Sequence, residues 1–500
     1  MPSHVAIPIS TPTRRRVLID RVEAVLCHRS KDGEEQYLVR WKNNGDAEYP
    51  PLSWHSVSDL ARCLEYVQDY IESRSISQSL LKRKSPDNET EYERRPSPFE
   101  RQQSVTYQST SVASVLPSPA PLPDIYNGVF DSQHTLIFAR SSSGPSIARL
   151  SIQNVPTPEM LQAARTAITE KAAAAIRQEY TRRLKRLPGV PITLLNLHDA
   201  STPSLRFRYI TEYILRDGVY KADPETQEGC QQCSTNMGRS IGCEYTKKCE
   251  CLEYAAVDTS RLDDEQLELY KAVQASGGST MGFPKKFPYF AEGTKIQRAG
   301  CLVRFYLDSR NPIYECNDSC MCGPYCRNKN VQFGRTVELE IFRTTQRGWG
   351  LRCKEDLHEG QFIDTYRGEI ITDEEADRRE AAATSKAKGS YLYSLDKFQE
   401  SEGLADEDIY VVDGEFMGGP TKFMNHSCEP NCRQYTVSYN KHDCRVYDIA
   451  LFACEFIPKG TELTFDYLDK EDDVEVPSSP SEGAILCLCG TEKCRRWLWT

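Results

Sequence analysis

The sequence predicts a mainly β, α+β fold that is flanked by cysteine-rich zinc modules and preceded by a small N-terminal domain on a disordered tether. Thirteen of the twenty cysteines fall into two clusters. From Val337 onward the chain consists of short strand and turn patterns, with one helix expected at Asp373 to Ala383. Residues 74–157 are rich in Ser, Pro, Thr and Arg, and such a segment buries too little apolar surface to offset its ordering entropy. We therefore expect a tether with a reach of roughly 50 Å at 5–6 Å × √n.

Length and charge narrow the classes of function. A chain of 500 residues predicts about three domains, and no run of eighteen apolar residues suggests a membrane span. The net charge of −10 argues against nucleic acid as the main partner and is compatible with a basic one. Eight acidic residues fall between 396 and 415, either as a solvated loop or as a rim that attracts a Lys/Arg-rich peptide.

The cysteine spacing is typical of zinc sites. Nine thiolates supply the twelve bonds of three tetrahedral zincs if three of them bridge two metals. The C-terminal group lacks one ligand, and Cys428 in the Asn425-His426-Ser427-Cys428 segment is the natural donor. The predicted ligands are Cys230, Cys233, Cys243, Cys249, Cys251, Cys316, Cys320, Cys322 and Cys326 in the first cluster, and Cys428, Cys487, Cys489 and Cys494 in the second.

A disulfide framework is the alternative for these cysteines. Met1 to Arg16 is polar and ends in three arginines, so no export signal is expected and the thiols should stay reduced. The remaining seven cysteines are expected to be small buried hydrophobic residues. They are Cys27, Cys63, Cys301, Cys353, Cys432, Cys444 and Cys454.

The N-terminal half contains three local predictions. Val22 to His28 and Gln36 to Trp41 are predicted strands around a Lys31-Asp32-Gly33 turn, and a helix capped by Ser58 or Asp59 follows Trp54. One helix should begin at Thr157-Pro158-Glu159 and run to Pro188. A strand at Ile192 to Asn196 then leads into the first cysteine cluster.

Several motifs occur in one order after that cluster. They are Arg347-Gly348-Trp349-Gly350, Tyr366-Arg367-Gly368-Glu369, Tyr391-Leu392-Tyr393, Asn425 to Asn431, Glu462 to Tyr467, and a terminal Cys-x-Cys-x4-Cys. From about residue 190 to 500 the chain resembles a SET-domain lysine methyltransferase of the Su(var) class, most closely the fungal histone H3 lysine-9 enzymes. The strands around Tyr37 to Lys42, with the helix after them, resemble a chromodomain.

This resemblance gives a domain plan with a mainly β SET fold at its centre. We expect a chromodomain (17–73), a disordered linker (74–157), an N-terminal flank of helix and strand (158–227), a pre-SET zinc cluster (228–336), the SET domain (337–468), an acidic loop (469–483) and a post-SET zinc site (484–500).

The resemblance also implies the reaction and its residues. S-adenosylmethionine would be the methyl donor and a histone lysine the acceptor. Tyr467 would be the catalytic tyrosine, Tyr366 would help to orient the amine, and Asp396 would hold the substrate side. Tyr366, Phe465 and Tyr467 would wall the lysine channel. Phe465 leaves room at the channel floor, which favours di- and trimethylation.

The implied cofactor shell draws on four parts of the chain. It contains Arg343, Arg347, Gly348, Trp349, Tyr391, Lys422, Phe423, Asn425, His426, Leu498 and Trp499. Glycines at 348 and 350 let backbone approach a ligand closely. The family usually has arginine where this chain has Lys422, and lysine keeps the charge but loses the planar fork, so we expect altered cofactor affinity.

The chromodomain family grips methyl-lysine with three aromatic rings. Only Trp41 matches, because Asp20 and Asn44 stand where the other rings belong. A folded chromodomain with weak methyl-lysine binding is therefore the alternative to a working reader.

Together these features predict methylation of histone H3 lysine-9 in heterochromatin formation. The expected partners are the histone H3 tail or nucleosome, and heterochromatin proteins, with no membrane and no sequence-specific DNA contact. The expected location is the nucleus, on the chromosome. The alternatives are a catalytically silent chromatin scaffold and a methyltransferase for a non-histone lysine. Intact Tyr467, Asn425, His426 and terminal cysteines argue against the silent scaffold.

Overall fold

The computed structural model describes most of the chain. The described residues are 21–42, 52–82, 129–130, 136–140, 147–231, 233, 250–253, 255–291, 299–383, 391–440, 443–469 and 484–498. Their contacts divide into two compact units, residues 1–178 and 179–500.

The first unit begins with a three-stranded antiparallel sheet. Its strands are β1 (Val22–Lys31), β2 (Glu34–Trp41) and β3 (Leu52–Ser56), paired in that order. Asp32 and Gly33 have φ of 52° and 74°, as the tight hairpin requires. The predicted strands and turn are confirmed, while β3 was not foreseen. Helix α1 (Leu64–Lys82) begins later than expected, because Asp59 accepts hydrogen bonds from Ser56 within a turn.

The stretch predicted to be unstructured contains a second small sheet. Strands β4 (Val129–Phe130), β5 (Leu136–Arg140) and β6 (Ile147–Ser151) pair antiparallel in that order. The prediction of disorder for 74–157 is therefore wrong for these residues. An apolar island in an otherwise polar stretch, Tyr126 to Ala139, supplies β4 and most of β5.

Two helices replace the single helix predicted from Pro158 onward. They are α2 (Pro158–Thr166), capped by Thr157, and α3 (Glu170–Leu184). Ala167 between them is extended, with ψ of 142°. The Glu35 carboxylate accepts hydrogen bonds from the backbone N–H groups of Lys171 and Ala172 at 2.9 and 3.1 Å. A carboxylate at a helix N-terminus is stabilising, so this contact fixes a new start for α3.

The residues before α3 pack on the N-terminal sheet. Val155, Met160 and Ala164 share one buried cluster with Cys27, Leu38 and Leu52. The core of the first unit is thus built from residues more than a hundred positions apart. The first sheet is not an independent module within the described part of the chain.

Among the described residues, the second unit carries seventeen short strands and the rest of the helices. Its strands are β7 (Ile192–Leu195), β8 (Arg208–Tyr209), β9 (Ile214–Leu215), β10 (Ile313–Tyr314), β11 (Leu339–Arg343), β12 (Trp349–Cys353), β13 (Phe362–Tyr366), β14 (Glu369–Thr372), β15 (Leu392–Ser394), β16 (Tyr410–Asp413), β17 (Met417–Gly418), β18 (Asn425–His426), β19 (Cys432–Ser438), β20 (Asp448–Ala453), β21 (Thr464–Phe465), β22 (Ile485–Leu486) and β23 (Trp497–Leu498). Its helices beyond α3 are α4 (Asp264–Ala275), α5 (Arg304–Ser309), α6 (Asp373–Ala382) and α7 (Gln399–Glu402). The predicted strand at Ile192 and helix at Asp373 are confirmed.

Small sheets surround the core of this unit. Their orders are β10-β19-β20-β13, β12-β11-β7, β15-β16-β14-β9, β17-β8, β18-β21 and β22-β23. Strand β20 is buried along nearly its whole length, and Phe452 packs against the rings of Tyr289, Phe362 and Tyr435. The N-terminal flank joins three of these sheets through β7, β8 and β9. It is therefore part of the fold that builds the site.

Candidate active site and metal centres

Two distant motifs meet as a pair of parallel strands. Asn425 faces Thr464, and His426 faces Phe465, in the β18–β21 pair. The Ser427 N–H donates to the Phe465 carbonyl at 3.1 Å. Backbone pairing therefore fixes the Asn-His segment against the segment that ends in Tyr467.

The predicted channel rings lie close together at the end of this pair. The ring centroids of Phe465 and Tyr467 are 4.9 Å apart. The Tyr467 hydroxyl donates to the Met424 carbonyl at 2.7 Å, and the Tyr366 hydroxyl donates to the Tyr391 carbonyl at 2.9 Å. Each hydroxyl is thus held by a backbone oxygen, which fixes the direction of its lone pairs.

The two tyrosines stay neutral at physiological pH. Burial raises the pKa of Tyr467 above its usual range. Burial also raises the pKa of Tyr366, and the negative charge that Tyr467 would carry if ionised acts in the same direction. The two hydroxyls therefore serve as oriented dipoles and not as bases.

Asp396 lies outside this ring cluster. It occupies the exposed turn after β15, where its carbonyl accepts a hydrogen bond from the Gln399 N–H at 2.9 Å. Among the described residues its carboxylate has no hydrogen bond or ion pair to the three rings. Its predicted role on the substrate side stays a prediction.

Glu462 organises the glycine turn, and sequence reasoning gave it no role. Its carboxylate accepts hydrogen bonds from Asn425 Nδ2 at 2.8 Å and from Arg347 Nη2 at 2.5 Å. Asn425 Nδ2 also lies 3.2 Å from the Trp349 carbonyl. A Cβ on Gly350 would come within 2.9 Å of Glu462 Oε1, so a larger residue there would displace this carboxylate. Its place inside the Glu462 to Tyr467 motif was the available signal.

His426 is held as a neutral ring. Burial lowers its pKa to about 4. Its Nδ1 accepts from the Tyr467 N–H at 3.2 Å, and its Nε2 lies 3.3 Å from Cys428 Sγ. A neutral imidazole with the proton on Nε2 satisfies both contacts. His426 therefore joins the backbone of Tyr467 to the C-terminal cysteine group.

The other predicted cofactor residues line two sides of this region. Arg343 lies 5.5 Å from the centre of the Trp349 ring and 3.5 Å from the Asp199 carboxylate. Gly348 has φ of 73°, a backbone region that favours glycine. On the other side, Lys422 and Phe423 contact Phe207 of the flank, and the Lys422 ammonium also lies over the Tyr391 ring.

Four cysteines form a group near the C-terminus. The Sγ atoms of Cys428, Cys487, Cys489 and Cys494 all lie within 4.8 Å of one another. Four thiolates at such distances suit one tetrahedral zinc. The Arg495 N–H contacts Cys428 Sγ at 3.3 Å, and Arg495 Nη2 reaches Asp466 at 2.5 Å. The group thus fastens the terminal segment to the turn after β21, which contains Asp466 and Tyr467.

The terminal segment forms the hairpin β22–β23. Leu498 pairs with Ile485 in this hairpin and is half-buried. Trp499 lies outside the described residues.

The first cluster also offers metal-ligand geometry. One group contains Cys251, Cys316 and Cys320, and another contains Cys316, Cys322 and Cys326. Cys316 belongs to both, as a bridging thiolate would. Cys230 and Cys233 pack in the same buried cluster, with their sulfurs 3.2 Å apart. Cys243 and Cys249 lie outside the described residues.

Within the described part of the chain, no cysteine forms a disulfide. Of the seven expected to be small buried residues, Cys27, Cys63, Cys301, Cys353 and Cys432 are buried, whereas Cys444 and Cys454 are intermediate.

Trp41 of the first unit is largely enclosed. Its side chain is 8% exposed, and its indole N–H donates to Ser53 Oγ at 2.6 Å. The His55 ring lies edge-on at 5.4 Å. Asp20 and Asn44 lie outside the described residues. Methyl-lysine binding through Trp41 stays a prediction.

Three family models match the chain. The SET domain matches residues 348–468, the Pre-SET motif residues 184–329, and the Chromo (chromatin organisation modifier) domain residues 21–73.

Among the described residues, no helix combines the length and apolar character needed to cross a membrane.

Curated relatives match more than half of this chain over most of their own length. A histone-lysine N-methyltransferase, H3 lysine-9 specific, from Neurospora crassa is 41% identical over 319 residues, which cover 62% of this chain and 88% of the relative. Its counterpart from Fusarium mangiferae is 39% identical over 317 residues, with the same two coverages. The solved structure of the Neurospora SET-domain protein DIM-5, a histone lysine methyltransferase, is 38% identical, covers 57% of this chain and 98% of its own, and has a TM-score of 0.45.

Proposed function

We propose that this protein methylates lysine-9 of histone H3. The chain belongs to the SET-domain family of histone-lysine N-methyltransferases, and the proposal proceeds from that membership. The observation that carries the proposal is the ring cluster of Phe465 and Tyr467, joined through β18 to the cysteine group around Cys428. The names of both relatives support H3 lysine-9 as the substrate.

The rings create the conditions that an amine nucleophile needs. A free lysine titrates near 10.4, so the site must favour its neutral form. The aromatic walls disfavour the charged amine by desolvation and exclude water. The Tyr467 hydroxyl donates its hydrogen to the Met424 carbonyl, so the lone pairs of its oxygen are available to a positively charged methyl donor or amine. Most of the rate should come from alignment of the amine.

The second side of the site would hold S-adenosylmethionine, which supplies an electrophilic methyl group on a sulfonium. Its shell would be the eleven residues predicted above. The open backbone at Gly348 and the half-buried rings of Trp349 and Tyr391 fit a ligand with a flat base and a polar tail. Hydrogen bonds from Asn425 and Arg347 to Glu462 would keep this part of the cofactor shell rigid.

Zinc would serve structure in both cysteine groups. Thiolates suit zinc, and sites with four protein ligands are closed to substrate. The C-terminal group would hold β22–β23 beside the turn of Tyr467 through Arg495 and Asp466.

The acidic run would face the substrate peptide. Asp396, Glu400, Glu402, Asp406 and Glu407 are all exposed, so a basic histone tail would meet negative charge. We also propose a role on nucleosomes in heterochromatin, on chromosomes in the nucleus, and the match to the chromodomain family supports it.

The direct test uses purified full-length protein with recombinant nucleosomes and S-adenosylmethionine. We expect mass spectrometry to find methyl groups on H3 lysine-9. Nucleosomes with arginine at that position are the matched control and should stay unmodified. Equal labelling of the control nucleosomes, or no labelling of either, would overturn the proposal.

We expect Phe465→Tyr to shift the product toward monomethyl-lysine. Phe465 is 5% exposed and packs 4.9 Å from the Tyr467 ring, so an added hydroxyl would occupy the space in which a methylated amine must turn. The wild type should reach di- and trimethyl-lysine, while the first methylation is little changed in the mutant. A time course by mass spectrometry tests this, and a mutant that accumulates trimethyl-lysine at the wild-type rate would contradict it.

A further inference from the structure

Phe207 contacts residues of the predicted cofactor shell although it belongs to no motif. Its ring is 5% exposed. Lys422 Nζ lies 4.3 Å from the centre of this ring and 4.9 Å from the centre of the Tyr391 ring. The Phe423 ring meets Phe207 edge-on at 5.9 Å. Two residues of the predicted cofactor shell, Lys422 and Phe423, thus share one neighbour from the N-terminal flank, and Tyr391 contacts the same ammonium.

Backbone pairing holds Phe207 in this place. The next two residues form β8, which runs parallel to β17. The Arg208 N–H donates to the Phe416 carbonyl at 2.9 Å, and the Ile210 N–H donates to the Gly418 carbonyl at 3.0 Å. A Cβ on Gly418 would lie 2.5 Å from the Arg367 carbonyl and 3.5 Å from Phe207 Cζ. The flank therefore sits tightly against the strand before Lys422.

The two rings suit a lysine at position 422. An ammonium between aromatic faces gains cation–π attraction, and Lys422 also donates to the Glu415 carbonyl. The Lys422 ammonium is therefore held by two aromatic rings and one backbone carbonyl.

We propose that Phe207 is a positioning residue of the cofactor site, which holds the Lys422 ammonium beside the Tyr391 ring. The proposal rests on the function proposed above. Without the Phe207 ring, the ammonium loses one of its two aromatic contacts, and its position then depends on the Tyr391 ring and the Glu415 carbonyl. Phe423 loses its edge contact at the same time.

The test is a double-mutant cycle on the full-length protein, with S-adenosylhomocysteine as the calorimetric probe. Phe207→Leu keeps an apolar side chain and removes the ring, while Lys422→Met removes the charge. We expect roughly 2- to 30-fold weaker binding in each single mutant, because cation–π contacts are worth about 0.5–2 kcal/mol. The double mutant should bind no more weakly than the weaker single mutant. Independent, multiplying losses would overturn the proposal.

Phe305→Leu is the matched control. The Phe305 ring also lies under an ammonium, that of Lys286 at 4.2 Å, but packs against the core cluster that contains Tyr306 and Phe452. It should alter the melting temperature without changing affinity for the probe. In steady state, Phe207→Leu should raise KM for the cofactor and leave kcat within about twofold, since a positioning residue acts on binding.

The outcomes separate the two proposals. If the wild type fails to bind S-adenosylhomocysteine, the proposed function fails. If the wild type binds and Phe207→Leu binds equally well, only the role of Phe207 fails. If Phe207→Leu does not fold, Lys422→Met alone decides, and unchanged affinity in that mutant overturns the proposal.

Discussion

Tyr467→Phe is expected to reduce turnover by at least about 100-fold while affinity for S-adenosylhomocysteine stays near that of the wild type. Losses of this size follow removal of one preorganised polar group from an active site. The mutation removes only the hydroxyl that is fixed by the Met424 carbonyl at 2.7 Å. The contacts of the ring with Phe465 and His426 remain, so the channel keeps its shape. Single-turnover kinetics and calorimetry measure the two quantities separately.

The pH dependence should not change in this mutant. Burial raises the pKa of Tyr467, so its hydroxyl is protonated throughout the working range and cannot titrate there. The lysine substrate, with a pKa near 10.4, must lose its own proton. Initial rates should therefore rise from about pH 7 to about pH 9 in both proteins. A rise that disappears in the mutant would show that Tyr467 acts as a base.

Tyr435→Phe is the matched control. Its hydroxyl also donates to a backbone carbonyl, that of Leu307 at 3.0 Å, but in the buried core beside β20. Both mutants lose one hydrogen bond worth about 1 kcal/mol of unfolding free energy. Only Tyr467→Phe should lose activity. Comparable turnover in the two mutants would contradict the assignment of the catalytic tyrosine.

The sequence predicted best what depends on local chemistry. Thiolate counting placed Cys428 with the terminal cysteines, and the four sulfurs do lie together. Metal-ligand needs are strict, so a missing fourth ligand can be sought along the chain. The motif order likewise brought Asn425 and Tyr467 into one site, where β18 and β21 pair.

Contacts between distant segments could not be predicted from the sequence. Phe207 and Asp199 reach Lys422 and Arg343 from a flank with no motif, because β7 and β8 pair with strands far along the chain. The break between α2 and α3 has the same origin. The Ala-rich pattern favours one helix, whereas the Glu35 carboxylate supplies a competing start at Lys171. Tertiary contacts override helix propensity in such cases.

Removal of zinc from the C-terminal group is expected to abolish most of the activity and leave the core folded. Cys494→Ser should lower the zinc content by one per chain, because serine is a poor ligand for this metal. Without the metal, the segment of β22 and β23 keeps few anchors, chiefly Arg495 to Asp466 and the Lys493 N–H to Glu429 at 3.1 Å. Leu498 then leaves the cofactor side, so cofactor affinity and turnover should each fall at least about tenfold.

The core should survive this loss because the central sheet β10-β19-β20-β13 lies elsewhere. Circular dichroism and the main unfolding midpoint should therefore match those of the wild type. Cys444→Ser is the matched control, since Cys444 is a cysteine of intermediate exposure outside the metal-ligand groups of the described residues. That mutant should keep the full zinc content, close to four per chain if the first cluster holds three, and full activity. Strong chelators act on both groups, so they should also unfold the first cluster. A Cys494→Ser protein that loses one zinc yet binds cofactor and turns over like the wild type would show that the C-terminal metal does not shape the site.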